Sequence, residues 1–579
     1  MLKTRLSLPL LISLFFLGIF LIPVIYLVYG SVFFQVGGQT LTLSNFLQVL
    51  TSPRTTTLLM NTLIIALGAA LVSTLLGAVY AWITVRTDVP GKRLLRLIAI
   101  LPLTMPFLVK AFAWMYLLSP SIGMINVAFQ QIFNSTFVLF NIYTLEGIIF
   151  AMGVGGIPLA YLTIEPAMKS MDPGLEEASR VAGNGILKTI FKVTIPTLLP
   201  AILSAFLLLT IISLENFDYP FMLGSVGRIR TLATEIYFWI NSSLPPNYGK
   251  AAIIAMFFLI ITFSAVTIYI WVTRKAHKFV VVTGKAPRPT VHKLRKWRYV
   301  AFAICFSMVF FAYILPFSTL ILMSFTSFIT YTGQGIFVKF IGFANYQDAL
   351  NIPYFYNAVT NTIFMAILAA ISATLIAAML SYAALKSRVK GARLIEYISS
   401  IPLAFPGIVY GLALFWTFLL LPGISTLLYG TIAPMVIALI FIRLPYSVRM
   451  VSGNLIQIGN EMEESSRITG ASWLTSFRRI VLPLVKRGLA NSFVYTFINS
   501  LRELSAVILL ITPQSFVLTV LLLNLYSEHA MALNTIAAAS VMLSVLILAV
   551  LIIPQVLQHL SAYRKTKKSA KKRMEISDG

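Results

Sequence analysis

The chain has 579 residues, of which 58% are hydrophobic and only 11% are charged. No soluble core could bury that much apolar surface, so the composition excludes a water-soluble globular protein and predicts a membrane protein with many spans. The formal charge of +26 could indicate nucleic-acid binding, but the basic residues gather in alternate loops, which is the pattern that a membrane imposes. We expect a lipid bilayer around the chain and no nucleic-acid partner.

Apolar runs long enough to cross about 30 Å of hydrocarbon recur from end to end, and they predict an all-α polytopic protein rather than a barrel. We predict about twelve transmembrane helices, at residues 10–33, 57–85, 94–118, 138–164, 197–223, 251–273, 299–325, 358–385, 394–421, 425–442, 488–511 and 534–557.

The first run follows Lys3 and Arg5 as a signal peptide would, but it is too long and lacks a small-residue cleavage site, so we expect it to be retained. Loops rich in Lys and Arg alternate with loops that contain neither, such as 119–137 and 512–533. The positive-inside rule therefore predicts that the basic loops and both termini face the cytoplasm.

A basic, proline-containing segment at 274–298 separates two sets of six predicted spans. We therefore predict a first half at 1–273, a cytoplasmic linker at 274–298, a second half at 299–560 and a basic tail at 561–579. The single cysteine, Cys305, and four scattered histidines have no metal-ligand spacing, so we expect no bound metal or cofactor in this chain.

The two halves repeat the same landmarks. Six of them recur at a displacement of 300 positions, which is unlikely to arise by chance: Asn61, Thr62, Gly91, Arg93, Pro102 and Pro106 match Asn361, Thr362, Gly391, Arg393, Pro402 and Pro406. In each half the two prolines are expected to interrupt the third helix.

The strongest match lies in two loops, at a displacement of 287. The first loop (about 170–196) contains LEEASRVAG at 175–183 and VTIP at 193–196, and the second loop (about 457–483) contains MEESSRITG at 462–470 and IVLP at 480–483. Both loops fall between the fourth and fifth spans of their halves and are long for a simple connection.

Each loop predicts a short helix, a turn and a second short helix. Asp172 is expected to cap the first helix, with Pro173 at its first position, and Gly183 is expected to end it in a left-handed conformation. Glu176 and Arg180 are spaced to pair within the helix. The same pattern in the second loop ends at Gly470 and leaves Glu464, like Glu177, without an intrahelical partner.

Both loops resemble the EAA loop of binding-protein-dependent ABC permeases, with Ser in place of Ala at 179, 465 and 466 and mild aliphatic changes at 193 and 195. The resemblance implies a type I ABC importer permease whose loops dock into the two subunits of a cytoplasmic ATPase homodimer. The residues carried over to ATPase coupling are Glu177, Ala178, Ser179, Arg180, Gly183, Pro196, Glu464, Ser465, Ser466, Arg467, Gly470 and Pro483. The small residues among them would allow the partner to approach closely.

No Walker A motif is present, so the chain is not expected to be an enzyme, and ATP and Mg²⁺ would be used by the partner ATPase. An extracytoplasmic solute-binding protein would deliver the substrate. A single chain of two such halves resembles the ferric-iron and thiamine permeases, and stretches around 213–220 and 501–506 are similar to the iron-type members. These likenesses favour ferric iron, with thiamine, phosphonates, polyamines or oxyanions as alternatives.

Ionisable residues inside spans indicate a function. Glu215, Asp218, Arg502 and Glu503 are therefore candidates for the translocation path. Glu215 and Arg502 occupy equivalent places in the repeat, so we consider a pair across the pseudo-twofold axis, with local bracing as the alternative. Lys110 is interpreted as a snorkelling or packing residue.

Two other classes of function remain open. An ion-gradient-driven secondary transporter would explain the span number and the repeat, but not the two matched loops. A membrane enzyme would need paired carboxylates, a histidine cluster or a nucleophile motif, and the sequence shows none of these at one depth.

Overall fold

A computed structural model describes residues 7–33, 44–276, 291–332, 335–386, 394–421, 423, 427–456, 466, 468, 470–528 and 533–552. Helices make up most of the described chain, as the all-α prediction requires. Backbone groups in hydrocarbon must find their partners within the segment, and a helix provides them.

The first half contains a series of helices interrupted by one 3-10 turn at Leu101–Thr104 and π turns at Ile190–Thr194 and Pro220–Gly224. In chain order the α-helices are α1 (Ser7–Phe33), α2 (Ser44–Thr51), α3 (Pro53–Arg86), α4 (Lys92–Ile98), α5 (Phe107–Leu118), α6 (Met124–Ile132), α7 (Leu145–Ser170), α8 (Pro173–Val181), α9 (Ile186–Thr189), α10 (Ile195–Glu215), α11 (Leu232–Asn241) and α12 (Tyr248–Ala276).

The second half has a similar series and one antiparallel hairpin, β1 (Thr326–Thr332) with β2 (Gly335–Phe340). Its helices are α13 (Trp297–Val309), α14 (Leu315–Ser324), α15 (Ala344–Leu350), α16 (Phe355–Lys386), α17 (Leu394–Ile398), α18 (Gly407–Leu420), α19 (Ala433–Leu455), α20 (Trp473–Ser476), α21 (Leu482–Leu501), α22 (Leu518–Ser527) and α23 (Leu533–Ile552). A 3-10 turn lies at Ile401–Ala404, and π turns lie at Phe310–Ile314 and Phe477–Val481.

Eight helices in the described ranges are long and apolar enough to cross a membrane, and a bent pair gives a ninth. That pair, Lys92–Thr104 and Phe107–Leu118, turns by 97° at the predicted proline break. The predicted span at 488–511 is wrong as a continuous helix, because α21 ends at Leu501. α18, α22 and the Gly18–Val32 part of α1 are shorter apolar helices, so the total of twelve stays a prediction.

The repeat seen in the sequence is also a repeat of packing. In the first half α3 packs against α7 and α10, and in the second half α16 packs against α19 and α21. Small residues allow the close approach of α3 and α7, since a Cβ at Gly77 would lie 2.3 Å from the Ala160 Cβ and one at Gly156 would lie 2.3 Å from the Ser73 Oγ. Close packing of this kind holds helices together where no hydrophobic effect drives them.

The first long helix of each half lies against the other half. α1 packs against α16 and α18 of the second half, as well as against α12 of its own half, and a Cβ at Gly30 would lie 2.5 Å from the Trp416 ring. In the other direction, α13 contacts α3 and α14 contacts α5. This exchange joins the halves into one bundle, and the sequence repeat alone does not reveal it.

The repeated Asn-Thr pair has one structural task in both halves. Asn61 donates to the Arg230 carbonyl at 3.0 Å, and the Thr62 hydroxyl accepts from the N–H of Leu232, at the start of α11 (2.9 Å). In the second half Asn361 donates to the Phe516 carbonyl at 3.0 Å, and Thr362 accepts from the N–H at the start of α22 (2.8 Å). Each pair therefore fixes the start of a short helix at the end of the bundle opposite the two loops.

Candidate functional sites

The first loop folds as the sequence predicts. Asp172 caps α8 by accepting the Gly174 N–H at 2.9 Å, and Pro173 takes the first helical position. At the other end Gly183 has φ +82°, its N–H reaches the Arg180 carbonyl at 2.9 Å, and the next N–H reaches the Ser179 carbonyl at 3.1 Å. This pair of bonds is a Schellman cap.

The second loop repeats this ending where it is described. Gly470 has φ +84°, and the Ala471 N–H reaches the Ser466 carbonyl at 3.1 Å, as Asn184 does for Ser179. No atom lies within 4 Å of a Cβ built on Gly183 or Gly470, so the backbone angle alone requires glycine. Glu464, Ser465 and Arg467 lie outside the described residues.

The serines at 179 and 466 hold each loop together. The Ser179 and Thr189 hydroxyls are 3.1 Å apart, and Ser179 is only 9% exposed. The equivalent hydroxyls of Ser466 and Ser476 are 2.9 Å apart. The Ser179 side chain therefore ties the first short helix to the second, and the close approach of a partner that its small size would allow stays a prediction.

Glu176 is buried and does not pair with Arg180, so the predicted intrahelical ion pair is wrong. Its carboxylate accepts from the Thr194 hydroxyl at 2.8 Å and lies 3.6 Å from Arg86 at the end of α3. It also lies 3.5 Å from the Nε2 atom of His292, a linker residue whose backbone N–H bonds the Arg86 carbonyl at 2.8 Å. The linker thus anchors the first loop to the bundle.

The outward face of each loop carries an exposed apolar residue two positions before the glycine cap. Val181 is 90% exposed and Ile468, its equivalent at 287 positions, is 86% exposed. Glu177, Ala178 and Arg180 are also exposed in the first loop. An open groove of about 620 Å³ runs along this face, lined by Glu177, Arg180, Val181, Gly183, Asn184, Gly185 and Ile186.

Pro196 and Pro483 occupy matched places after matched π turns. The π turns at Ile190–Thr194 and Phe477–Val481 each lead into a long helix with proline at its second position, α10 or α21. Proline has no N–H to donate there, so the widened turn accommodates it without a lost hydrogen bond. Each loop is therefore joined to its span by the same irregular segment.

The four path candidates lie where α10 and α21 end inside the bundle. Glu503 forms an ion pair with Arg443 of α19 and accepts from the Ser505 hydroxyl at 2.8 Å. Arg502 donates to the Leu103 carbonyl at 2.7 Å, which connects the second half to the proline bend of the first. Asp218 is buried beside this group.

Of the two possibilities considered for Glu215 and Arg502, the pair across the pseudo-twofold axis does not form. Arg502 donates instead to Asn499 (2.5 Å) and Leu103, and the charges that act on Glu215 are those of Arg443 and Glu503. Lys110 does not snorkel, as it is 2% exposed within α5. Among the described residues, no three His, Cys, Asp or Glu side chains come together as a metal site.

Arg443 was missed in the sequence because the predicted span ended at residue 442, one position too early. α19 continues to Leu455, so the arginine lies inside the bundle. An arginine at the edge of an apolar run, with a glutamate in a later span, was the signal that could have identified it.

Comparison with known protein families identifies the family to which the chain belongs. The chain matches the family described as "binding-protein-dependent transport system inner membrane component" over residues 73–278 and 373–564, one copy in each half. The chain belongs to this family. It is a multi-pass inner-membrane permease of an ABC transporter, a non-enzymatic subunit that works with an ATPase and a binding protein.

Several relatives of the permease have the same fused form. It is 25% identical to the "putative ferric transport system permease protein FbpB 1" of Haemophilus influenzae, over 84% of this chain and 75% of that protein. It is 24% identical to the "ferric transport system permease protein FbpB" of Actinobacillus pleuropneumoniae, over 88% of this chain and 73% of that one.

Other matches cover part of the permease. The molybdenum permease ModB of Escherichia coli is 28% identical over 39% of this chain and 96% of its own length. A solved bacterial ABC transporter for alginate import is 20% identical, with a TM-score of 0.36, over 46% of this chain and 97% of that chain.

Proposed function

We propose that the permease moves ferric iron, delivered by an extracytoplasmic binding protein, across the inner membrane. The observation that carries this proposal is the extent of the match to relatives named for ferric transport, which covers 84% and 88% of this chain through both halves. Relatives named for molybdenum or sulfate transport match over 39%. Other solutes, including thiamine and oxyanions, are the alternatives.

The coupling mechanism uses the two loops as matched contacts for an ATPase homodimer. Support comes from the equivalent glycine caps at +82° and +84° and from the equally exposed Val181 and Ile468. A partner with two identical grooves needs one such helix from each half. ATP and Mg²⁺ are used by that partner, and the chain itself binds no cofactor.

Transport proceeds by alternating access. ATPase closure draws the two loops together, and the exchanged helices α1 and α13 carry this motion into both halves. The π turns before Pro196 and Pro483 join each loop to a span that ends beside the buried charges. The loops, the linker and both termini face the cytoplasm in this scheme.

Reconstitution tests the function directly. Proteoliposomes that contain the permease, its ATPase and its ferric-loaded binding protein should take up ⁵⁵Fe only with internal ATP. Glu177→Lys, on the outward face of the first loop, should lower both ATPase association and uptake. Glu146→Lys makes the same change at an exposed site in the first turn of α7, at the opposite end of the bundle, and should leave both intact. Uptake of molybdate or thiamine in place of iron would overturn the substrate assignment.

A further inference from the structure

A small cavity of about 30 Å³ lies at mid-membrane depth, lined mainly by residues of the first half. Ser73 near the middle of α3 and Gly155 near the middle of α7 fix that depth. The wall also includes Phe107 and Lys110 of α5, together with Arg502 from the second half. The cavity therefore lies between the halves, where a path that opens and closes would run.

Several residues that line this cavity can donate hydrogen bonds into it. No carboxylate lines it, among the residues that the structure describes. Lys110 and Arg502 bring cationic N–H groups, and the buried Tyr219 hydroxyl has no hydrogen-bond partner. Asn216 accepts the Tyr219 N–H through its Oδ1 atom (3.1 Å), so its amide nitrogen is left to donate. A cluster of donors that includes two basic side chains and has no carboxylate in its wall suits an anion.

The two cations lack direct counter-charges. Within the described part of the chain, no carboxylate oxygen lies within 4.0 Å of Lys110 or Arg502, although Asp218 and Glu503 act on Arg502 from farther away. Both cations lie over the Phe107 ring, at 5.5 Å and 5.8 Å from its centre, and they repel each other. Buried charges of one sign are costly unless something pairs with them.

The second half carries an ion pair at the positions equivalent to two residues that line this cavity. At 287 positions from Gly156 stands Arg443, and at the same displacement from Asn216 stands Glu503. These two side chains form an ion pair with each other. The first half thus has a glycine where the second has a cation, and a neutral amide where the second has the anion. Among the described residues, the first half therefore lacks the ion pair that the second half has at these positions.

We propose that this cavity binds a small oxyanion, held by Lys110, Arg502 and the Tyr219 hydroxyl. Resting on the proposed function, the inference is that iron crosses coordinated by an oxyanion rather than as the bare cation, which these two side chains would repel. Ferric iron prefers hard oxygen ligands, so such a complex is chemically natural. In this conformation the cavity has room for about two waters, so entry requires the halves to separate.

Binding to the ATPase-free permease is the first test. The probes are ³²P-phosphate and ³⁵S-sulfate, measured by equilibrium dialysis in nanodiscs, with chloride as competitor. We expect one site per chain. Lys110→Met and Gly155→Ala should each weaken binding at least about tenfold, the alanine because its Cβ would lie 3.1 Å from the Tyr219 hydroxyl. Lys110→Arg should restore most of it.

Lys250→Met is the matched control, since Lys250 lines a separate cavity with Arg54 and Trp239. It should bind both probes normally. A monodisperse wild-type permease that binds neither probe, or a Lys110→Met variant that binds as well as wild type, would overturn the proposal.

Uptake separates this inference from the function on which it rests. In proteoliposomes, ⁵⁵Fe uptake should be at least tenfold faster with phosphate present than without any coordinating oxyanion, and Lys110→Met should abolish that gain. Equal ⁵⁵Fe uptake with and without the oxyanion would refute the inference but leave the proposed iron transport intact. Uptake of phosphate or sulfate without iron removes the iron function and keeps the anion site.

Discussion

The glycine caps allow backbone geometry to be separated from partner contact. Gly183 has φ +82°, and a Cβ there would meet no atom within 4 Å, so Gly183→Ala adds no clash within the chain. The cost is the left-handed backbone itself, about 1–2 kcal/mol for an L-residue. That corresponds to a factor of about 5–30 in the equilibrium between the capped and distorted loop.

Gly183→Asn is the discriminating comparison, because asparagine adopts the left-handed region more readily than alanine although its side chain is larger. ATP hydrolysis by the reconstituted complex, stimulated by the loaded binding protein, should follow the order Gly, Asn, Ala. The same order should hold at Gly470. If asparagine is the worse substitution at both positions, then space for the partner, and not backbone angle, is the reason for glycine, and the reasoning is refuted.

Two further contrasts test the packing of the loops and of the short outer helices. Glu176→Gln removes one member of a buried ion pair and should lower the free energy of unfolding by about 3–5 kcal/mol, seen as a lower melting temperature in detergent. Glu177→Gln, at an exposed position, should change it by no more than about 0.5 kcal/mol. Equal effects would contradict the inward position of Glu176. Thr62→Val leaves the N–H at the start of α11 without its acceptor and should lower the free energy of unfolding by about 1–3 kcal/mol. Thr57→Val, at an exposed position on the same helix as Thr62 (α3), should lower it far less. A reversed order would rule out the capping role.

The features that the sequence predicted well are those built from near neighbours. A Schellman cap joins residues at most five positions apart. Asp172, Gly183 and Gly470 therefore predict the helix ends in the loops without knowledge of any tertiary contact. The proline bend is local in the same sense. Because the two halves share these local rules, the repeat predicted the matched loops and the fold class.

The features that escaped prediction depend on distant partners. Glu176 turns inward because Arg86 and His292 reach it from 90 residues before and 116 residues after in the chain. The exchange of α1 and α13 between the halves likewise has no local signature. Lys110 was interpreted as a snorkelling or a packing residue, and the sequence could not decide between the two. Its packed position in α5 follows from the proline bend and from distant contacts.

Cross-linking from both loops tests the central claim most directly. Cys305 is the chain's only cysteine and is buried, so Cys305→Ala gives a background in which Val181→Cys or Ile468→Cys is the sole thiol. In inverted membrane vesicles, both thiols should react with an impermeant maleimide and cross-link to the ATPase subunit with similar yield. A cross-link from one loop only, or labelling of either thiol from the periplasmic side, would contradict the account.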